Sequence, residues 1–156
     1  MVWKLQTTLR VLSQQARGAS SGNCGAAVEC ALNAGLDRRL SKTALPMMRG
    51  DDGFLHHAAK DFGPALEAAG FRRIEKPHGF RPGDIIVLKD PSNRHRFGHI
   101  AMWDGTHWIS DFHQRNKSGL IWADCATPIV EYYRYGGRID HMNTYDQVTP
   151  LERLYA

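Results

Sequence analysis

The chain has 156 residues, a length that suits one domain with a substantial core. Hydrophobic residues make up 42% and charged residues 23%, which excludes a disordered or fibrous chain. The formal net charge of +4 comes from scattered basic residues and not from a block, so we expect no nucleic-acid partner. A mildly basic protein nevertheless suits anionic surroundings, such as a cell-wall polymer.

The cysteines and the start of the chain exclude several further classes of protein. The first residues lack the apolar core of a signal peptide, and no segment has the length of a membrane span. Three cysteines are an odd number at no zinc-ligand spacing, which predicts neither a disulfide framework nor a structural metal site. We therefore expect no cofactor, no membrane insertion and at least one free thiol. Two of the candidate metal-binding histidines are adjacent in a helical pattern, so no metal is predicted from His56, His57 and His95.

The first predicted element is an amphipathic helix. Apolar residues recur at helical spacing over residues 3–17, namely Leu5, Leu9 and Leu12. A turn rich in Gly and Ser follows over residues 18–23. A second helix is predicted over residues 24–34, with Ser21 and Asn23 both candidate N-caps and Gly35 as its stop.

The next two segments contain fewer signals. Residues 37–53 are predicted to form a loop or a short helix. Residues 54–71 are predicted to form one or two helices, the last of which begins at Pro64, because proline is favoured in the first helical turn.

The second half of the chain has the pattern of strands. A turn and a short apolar run predict a strand over residues 85–88, and residues 98–112 contain two strands joined by Asp104-Gly105, a strong hairpin signal. Residues 130–135 predict a further strand. Helices followed by an antiparallel sheet predict an α+β fold.

The most informative single residue is Cys24, which stands at the start of the second predicted helix. A thiol reacts as the thiolate, and a helix N-terminus favours an anion. Cys30 lies inside the same helix, where this effect has faded. Two interpretations of Cys24 are open at this point: an inert small residue at a helix start, or a nucleophile.

Two residues in the predicted hairpin could assist such a nucleophile. His99 follows Gly98 at the start of a strand, where a histidine can face a cleft. Asp111 comes twelve residues later, and strand pairing across a tight turn would bring the two side chains together. An aspartate there would hold the second nitrogen of the imidazole. Structural roles for both residues are the alternative.

The order of these motifs resembles the papain-like amidohydrolases and peptidases of the NlpC and CHAP type. The chain has "GNCGAAV", "RPGDIIVL", "GHIAMWDG" and "WISDF" in that order. It resembles still more a branch of peptidoglycan amidase toxins that includes effectors of type VI secretion. The shared features there are the Ser-Ser-Gly before the cysteine, "DFGPALEAAGF" and "DGTHWISDFHQR".

The resemblance implies a papain-like fold and a role for each site residue. Cys24 would be the nucleophile, His99 the general base and acid, and Asp111 the orienting residue. The backbone N–H of Cys24 and a side chain from the preceding turn, Asn23 or Ser21, would bind the oxyanion.

Four further residues lie near these positions in the sequence, and each of them has two alternative roles. Ser110 would steady the carboxylate or cap a turn, and Trp108 would pack in the core or stack on substrate. His113 and Gln114 would either line the cleft or lie exposed in a loop, and the exposed loop is the prediction.

The expected function is a cysteine amidohydrolase that cleaves peptidoglycan peptide stems, most simply as an antibacterial toxin. A phage lysis enzyme, a thiol acyltransferase and a binding module without turnover are the alternatives. A toxin would be secreted by a dedicated system, act in the periplasm of a target cell and have a small immunity protein as its inhibitor. We expect a monomer with one catalytic domain, its core spanning about residues 5–135, and a tail over residues 136–156 of unassigned role.

Overall fold

A computed structural model describes residues 2–19 and 21–141 of the protein. It confirms the α+β class. The helices are α1 (Leu5–Gln15), α2 (Cys24–Gly35) and α3 (Gly63–Ala68), with a single 3-10 turn at Ala59–Asp61. The strands are β1 (Val2–Lys4), β2 (Met48–Arg49), β3 (Leu55–His56), β4 (Phe71–Ile74), β5 (Ile85–Lys89), β6 (His99–Trp103), β7 (Trp108–Ile109), β8 (Ile129–Tyr135) and β9 (Arg138–Asp140).

The main sheet has five strands in the order β4-β8-β5-β6-β7, and all its neighbours are antiparallel. The hairpin between β6 and β7 is confirmed, with Trp103 opposite Trp108 across the Asp104-Gly105 turn. α1 packs against α2, and α2 packs against β6. The start of α2 therefore lies close to the sheet.

Both faces of the sheet are buried, which explains the unbroken apolar run of β5. Ile85 and Val87 belong to the core that contacts α1 and α2. Ile86 and Leu88 point to the opposite face, where they belong to a second core with Trp108. Because alternate side chains of a strand face opposite sides, two covered faces remove the usual polar alternation.

The prediction of helix from residue 3 is wrong at its beginning. Residues 2–4 form β1, which pairs in parallel with β9, and the helix occupies only Leu5–Gln15. The side chain of Trp3 is fully buried, and its ring lies 5.3 Å from that of Phe71 and 5.2 Å from that of Tyr135. These contacts come from residues distant in sequence, so the local pattern did not contain them. The remaining tail, residues 142–156, lies outside the described residues.

The middle of the chain contains less helix than predicted. β2 and β3 form a two-stranded hairpin, and the only helices between residues 54 and 71 are the 3-10 turn and α3. His56 therefore belongs to a strand and not to a helical pattern. Pro64 does lie in the first turn of the last helix. β4, which pairs with β8, was not predicted.

The "PGD" turn before β5 depends on contacts with distant residues. Gly83 has a φ of +95°, and a Cβ atom there would lie 2.6 Å from the ring of Trp3. Asp84 is buried and forms an ion pair with Arg134, with an Nη2 to Oδ2 distance of 2.7 Å.

In the part of the chain that the structure describes, no helix is both long and apolar enough to cross a membrane.

Candidate active site

Cys24 is the first residue of α2, at one wall of a cavity of about 620 Å³. Asn23 is the N-cap residue of this helix, but its side chain makes no capping hydrogen bond. The first intrahelical bond runs from the N–H of Ala27 to the carbonyl of Asn23. The amides of Cys24 and Gly25 consequently have no acceptor within the helix.

His99 is the first residue of β6 and lines the same cavity as Cys24. Its side chain is buried. Gly98 positions it, because the chain enters the strand with a φ of +70° at this residue. A left-handed conformation of this kind favours glycine. The structure thus brings the predicted thiol and the predicted imidazole to one cavity, from the start of a helix and the start of a strand.

Asp111 is buried just after the end of β7, and its carboxylate accepts hydrogen bonds from the turn that precedes Cys24. Oδ2 accepts hydrogen bonds from the backbone N–H of Ser21 at 2.7 Å and of Asn23 at 3.1 Å. The Ser21 hydroxyl also donates to Oδ2, at 2.9 Å, and the Ser110 hydroxyl donates to Oδ1, at 3.1 Å. Ser110 therefore steadies the carboxylate, which was one of its two predicted roles.

The imidazole of His99 has a neighbour that the sequence did not predict. Its Nε2 atom lies 2.6 Å from Nε2 of Gln114. The prediction that Gln114 is an exposed loop residue is wrong: it is buried, whereas His113 beside it is exposed. The chain reverses after β7, which pairs Ile109 with His113 and turns the Gln114 side chain inward to His99. The second imidazole nitrogen, assigned to Asp111 from the sequence, is thus in contact with Gln114.

Burial opposes ionisation of both Cys24 and His99. It raises the pKa of Cys24 to about 11, although the backbone N–H groups of Ile100, Gly25 and Cys24 itself favour the thiolate. The start of the helix thus lowers the pKa of Cys24, as predicted, but desolvation raises this pKa by more. Burial lowers the pKa of His99 to about 4, partly offset by the negative charge of Asp111. At neutral pH the pair therefore rests as a neutral thiol and a neutral imidazole.

Asp111 stays ionised in this setting. Burial alone would raise its pKa, but the hydrogen bonds from Ser21, Asn23 and Ser110 outweigh burial and lower the pKa below its usual value. The resulting negative charge favours a protonated His99 and disfavours a Cys24 thiolate. Such a charge would stabilise the imidazolium that forms when the histidine takes a proton from the thiol.

The remaining predicted site residues lie at different places. Asn23 lines the cavity, as an oxyanion-binding side chain would have to do. Ser21 and Ser110 are not among the cavity-lining residues, and both donate their hydroxyl groups to Asp111. Trp108 is fully buried in the second core, where its Nε1 donates to the Lys117 carbonyl at 3.0 Å. Core packing is therefore its observed role.

The wall of the cavity beyond the Cys24–His99 pair contains residues that the sequence did not assign to the active site. One side is the tip and second strand of the β2–β3 hairpin, which contributes Asp51, Asp52 and His56. The facing side is the loop before β6, together with Trp122. The ring of Trp122 stacks on His95 at 4.6 Å between ring centroids, with an interplanar angle of 4°. The cavity lining therefore contains both acidic side chains, Asp51 and Asp52, and basic ones, Arg94 and Arg96.

The other two thiols are placed differently from Cys24. Cys30 is exposed and accepts a hydrogen bond from Nε2 of Gln15, at 3.3 Å, on the side of α2 that faces α1. Cys125 donates to Oδ1 of Asp90 at 3.5 Å. Neither lines the cavity. Among residues 2–19 and 21–141, no three His, Cys, Asp or Glu side chains are grouped as a metal site would require.

Two solved structures share this fold. One is the native complex of the type VI effector Tae3 with the immunity protein Tai3 from Ralstonia pickettii. It has 31% sequence identity and a TM-score of 0.60, and the match covers 85% of this chain and 99% of that chain. The other is the selenomethionine form of this complex, with 28% identity, a TM-score of 0.54, and coverage of 82% and 99% respectively. No protein-family model and no curated protein matches the chain.

These comparisons define the class of the protein as well as its fold. The fold is that of a type VI secretion effector. The chain belongs to the family of the effector Tae3.

Proposed function

We propose that the protein is a cysteine amidohydrolase that cleaves an amide bond in the peptide stems of peptidoglycan, as an antibacterial effector. One observation carries the proposal: Cys24, at the start of α2, and His99, at the start of β6, line one cavity. The finer resemblance to NlpC and CHAP enzymes, given by the motifs around these two residues, agrees with it.

The chemistry follows from the two residues. His99 takes the proton of the Cys24 thiol as the sulfur attacks the amide carbonyl, so that a C–S bond forms and the carbonyl oxygen becomes an oxyanion. The C–N bond then breaks while His99 returns this proton to the leaving amine, which leaves a thioester on Cys24. Water, deprotonated by His99, attacks the thioester, releases the carboxylic acid and restores the thiol.

The oxyanion would form next to the first turn of α2. The N–H groups of Cys24 and Gly25 have no acceptor within the helix, and the Asn23 side chain lines the same cavity. Fixed donors aimed at a developing negative charge are typical of acyl-transfer sites. Asp111 completes the proposed site through its contacts with the preceding turn and its charge near His99.

The biological setting of the proposal rests on the matched proteins. Both are type VI effectors in complex with an immunity protein, which favours an effector over a phage lysis enzyme. By analogy, the protein would be delivered by type VI secretion into the periplasm of a target cell, and a small immunity protein would block it. The net charge of +4 suits an anionic wall.

The proposal can be tested with a protein in which Cys24 is the only thiol. In a Cys30→Ser, Cys125→Ser background, digestion of purified peptidoglycan would be followed by mass spectrometry before and after treatment with iodoacetamide. We expect new peptide fragments, whose masses identify the cleaved bond, and their loss after alkylation of Cys24. A folded, reduced protein that releases no fragments would overturn the wall-hydrolase proposal and leave acyl transfer or binding as alternatives.

The buried pair also predicts a broad pH profile. Below about pH 4, His99 is protonated and cannot accept the thiol proton; above about pH 11, Cys24 has lost its proton and His99 has none to give to the leaving amine. We therefore expect kcat/KM to change less than about twofold between about pH 5 and 10. Initial rates on soluble stem fragments, with circular dichroism at each pH as the folding control, would measure this. A bell with limbs near 6.5 and 9.0, the ordinary pKa values of the two groups, would contradict it.

A further inference from the structure

Of the buried polar side chains that follow β7, two contact different parts of the site. Gln114 contacts the imidazole of His99, and Asp111 contacts the turn that carries Cys24. The sequence assigned all orientation of the histidine to Asp111. The contacts instead indicate that one residue positions the base and another positions the nucleophile, and these two residues are only three positions apart in the chain.

The contacts of Gln114 determine which way its amide faces. The carbonyl and amino ends have nearly the same shape, so they are assigned from the hydrogen bonds that they make. With the amino end 2.6 Å from Nε2 of His99, the buried Oε1 atom meets no donor among the residues that the structure describes. Turning the amide by half a revolution places Oε1 against His99. A distance of 2.6 Å is also closer to that of an N–H···O bond than to that of an N–H···N bond.

The orientation of the amide sets the tautomer of the histidine. If Oε1 of Gln114 accepts, Nε2 of His99 must carry the proton, and Nδ1 is left with a lone pair for the thiol. If the amino group donates instead, the proton of a neutral imidazole moves to Nδ1, and that nitrogen cannot accept the thiol proton. Only the first arrangement allows His99 to act as the base that the proposed function requires.

Asp111 is bound at both its backbone and its side chain. Its carboxylate holds the N–H groups of Ser21 and Asn23, and its backbone carbonyl accepts from the N–H of Arg17 at 2.9 Å. The segment between α1 and α2 is therefore hydrogen-bonded to Asp111 at two places, at Arg17 and at Ser21 and Asn23. Removing this carboxylate would leave two backbone donors of the turn without their acceptor.

We propose that Gln114 and Asp111 divide the positioning of the reacting pair. Gln114 accepts the Nε2 proton of His99 and holds Nδ1 ready for the thiol, while Asp111 fixes the turn that presents Cys24. This inference rests on the proposed function for its catalytic meaning, although its structural content can be tested without any substrate.

The first test is the tautomer of His99 in the resting protein. Nitrogen-15 chemical shifts of the imidazole distinguish the two neutral forms, and a His99→Gln variant assigns the resonances. We expect the Nε2–H form in the wild type and in Gln114→Glu, and a mixture of the two forms in Gln114→Leu. An Nδ1–H form in the wild type would overturn the proposal. So would a tautomer that changes in Asp111→Asn but not in Gln114→Leu.

The second test separates the two residues by their effects on rates. Gln114→Leu is expected to lower kcat about 10–100-fold with little change in KM. This is the range of effects seen when the residue that hydrogen-bonds the second nitrogen of a metal-ligating histidine is replaced. Gln114→Glu should retain most of the activity and move the acidic limb of the pH profile upward, because a carboxylate raises the pKa of a neighbouring histidine. A Gln114→Leu enzyme with unchanged kcat would contradict the proposed role.

The Asp111 half of the proposal has its own readout. Asp111→Asn should change the rate at which iodoacetamide alkylates Cys24, and leave the His99 tautomer as in the wild type. If this variant does not fold, Ser21→Ala, which removes one donor to the carboxylate, takes its place with a smaller change expected in the same measurement. An unchanged alkylation rate would refute the role of Asp111. A wild-type protein that does not cleave peptidoglycan would refute the proposed function but not this inference, because neither the His99 tautomer nor the alkylation of Cys24 depends on cleavage.

Discussion

Cys24→Ala is expected to lower kcat for amide hydrolysis by at least about 10⁴-fold, because Cys24 is the only thiol among the described residues that line the cavity. The substitution removes a single sulfur atom from the first turn of α2 and leaves the backbone donors of that turn in place. Because alanine is a good helix former, we expect the free energy of unfolding to change by about 1 kcal/mol or less. Loss of activity in a stable protein would therefore report on chemistry.

Cys30→Ala is the matched control for this prediction. It removes a thiol from the same helix, six residues further on, where Gln15 is its contact and the cavity is out of reach. Activity should stay within about twofold of the wild type. Initial rates on peptidoglycan fragments and urea denaturation of both variants would make the comparison. Equal rates for the wild type and Cys24→Ala would show that another residue is the nucleophile.

Gly98→Ala is expected to destabilise the protein by more than about 3 kcal/mol and to disturb His99 directly. The φ of +70° at this residue costs an alanine roughly 1–2 kcal/mol. A Cβ atom there would also lie 2.5 Å from the carbonyl oxygen of Leu88 and 2.6 Å from Cβ of Lys60. Neither atom belongs to a flexible end, so the strand or the 3-10 turn must move, and His99 would move with it.

Gly79→Ala provides the comparison for Gly98→Ala. A Cβ atom added at Gly79 would have no neighbouring atom within 4 Å, and its backbone is not in the left-handed region. Its replacement should therefore change the free energy of unfolding by no more than about 0.5 kcal/mol. Urea denaturation of both variants, with the activity of each, measures the difference. If the two variants unfolded at the same urea concentration, the space around Gly98 would not be as tight as the structure indicates.

Local signals in the sequence predicted several elements of the fold, and contacts between distant residues account for the elements that the prediction missed. The turn at Asp104-Gly105 and the apolar run of β5 are local features, and both elements formed where expected. β1 pairs with β9 and buries Trp3 against Phe71 and Tyr135, and all these partners are far away in the sequence. No local pattern contains such a contact.

The same distinction explains the site. Cys24 and His99 were predicted as a pair because a helix start and a Gly-His strand start belong to the motifs that carry the family resemblance, and the structure places both residues at one cavity. Gln114 follows an exposed histidine and precedes an exposed arginine, which is the pattern of a surface loop. Its burial results from the reversal of the chain after β7, which pairs Ile109 with His113. The "DFHQ" stretch next to a predicted strand end was the one signal that could have indicated a second polar residue.

The burial of Cys24 has a consequence for where such a protein can work. Oxidants and disulfides react with the thiolate, and a thiol whose pKa is raised to about 11 is almost entirely protonated at neutral pH. The bacterial periplasm is an oxidising compartment, in which reactive thiols are readily converted to disulfides. A thiol that is so little ionised before a substrate carbonyl arrives would react with oxidants only slowly there and would stay reduced for longer than an ordinary thiol.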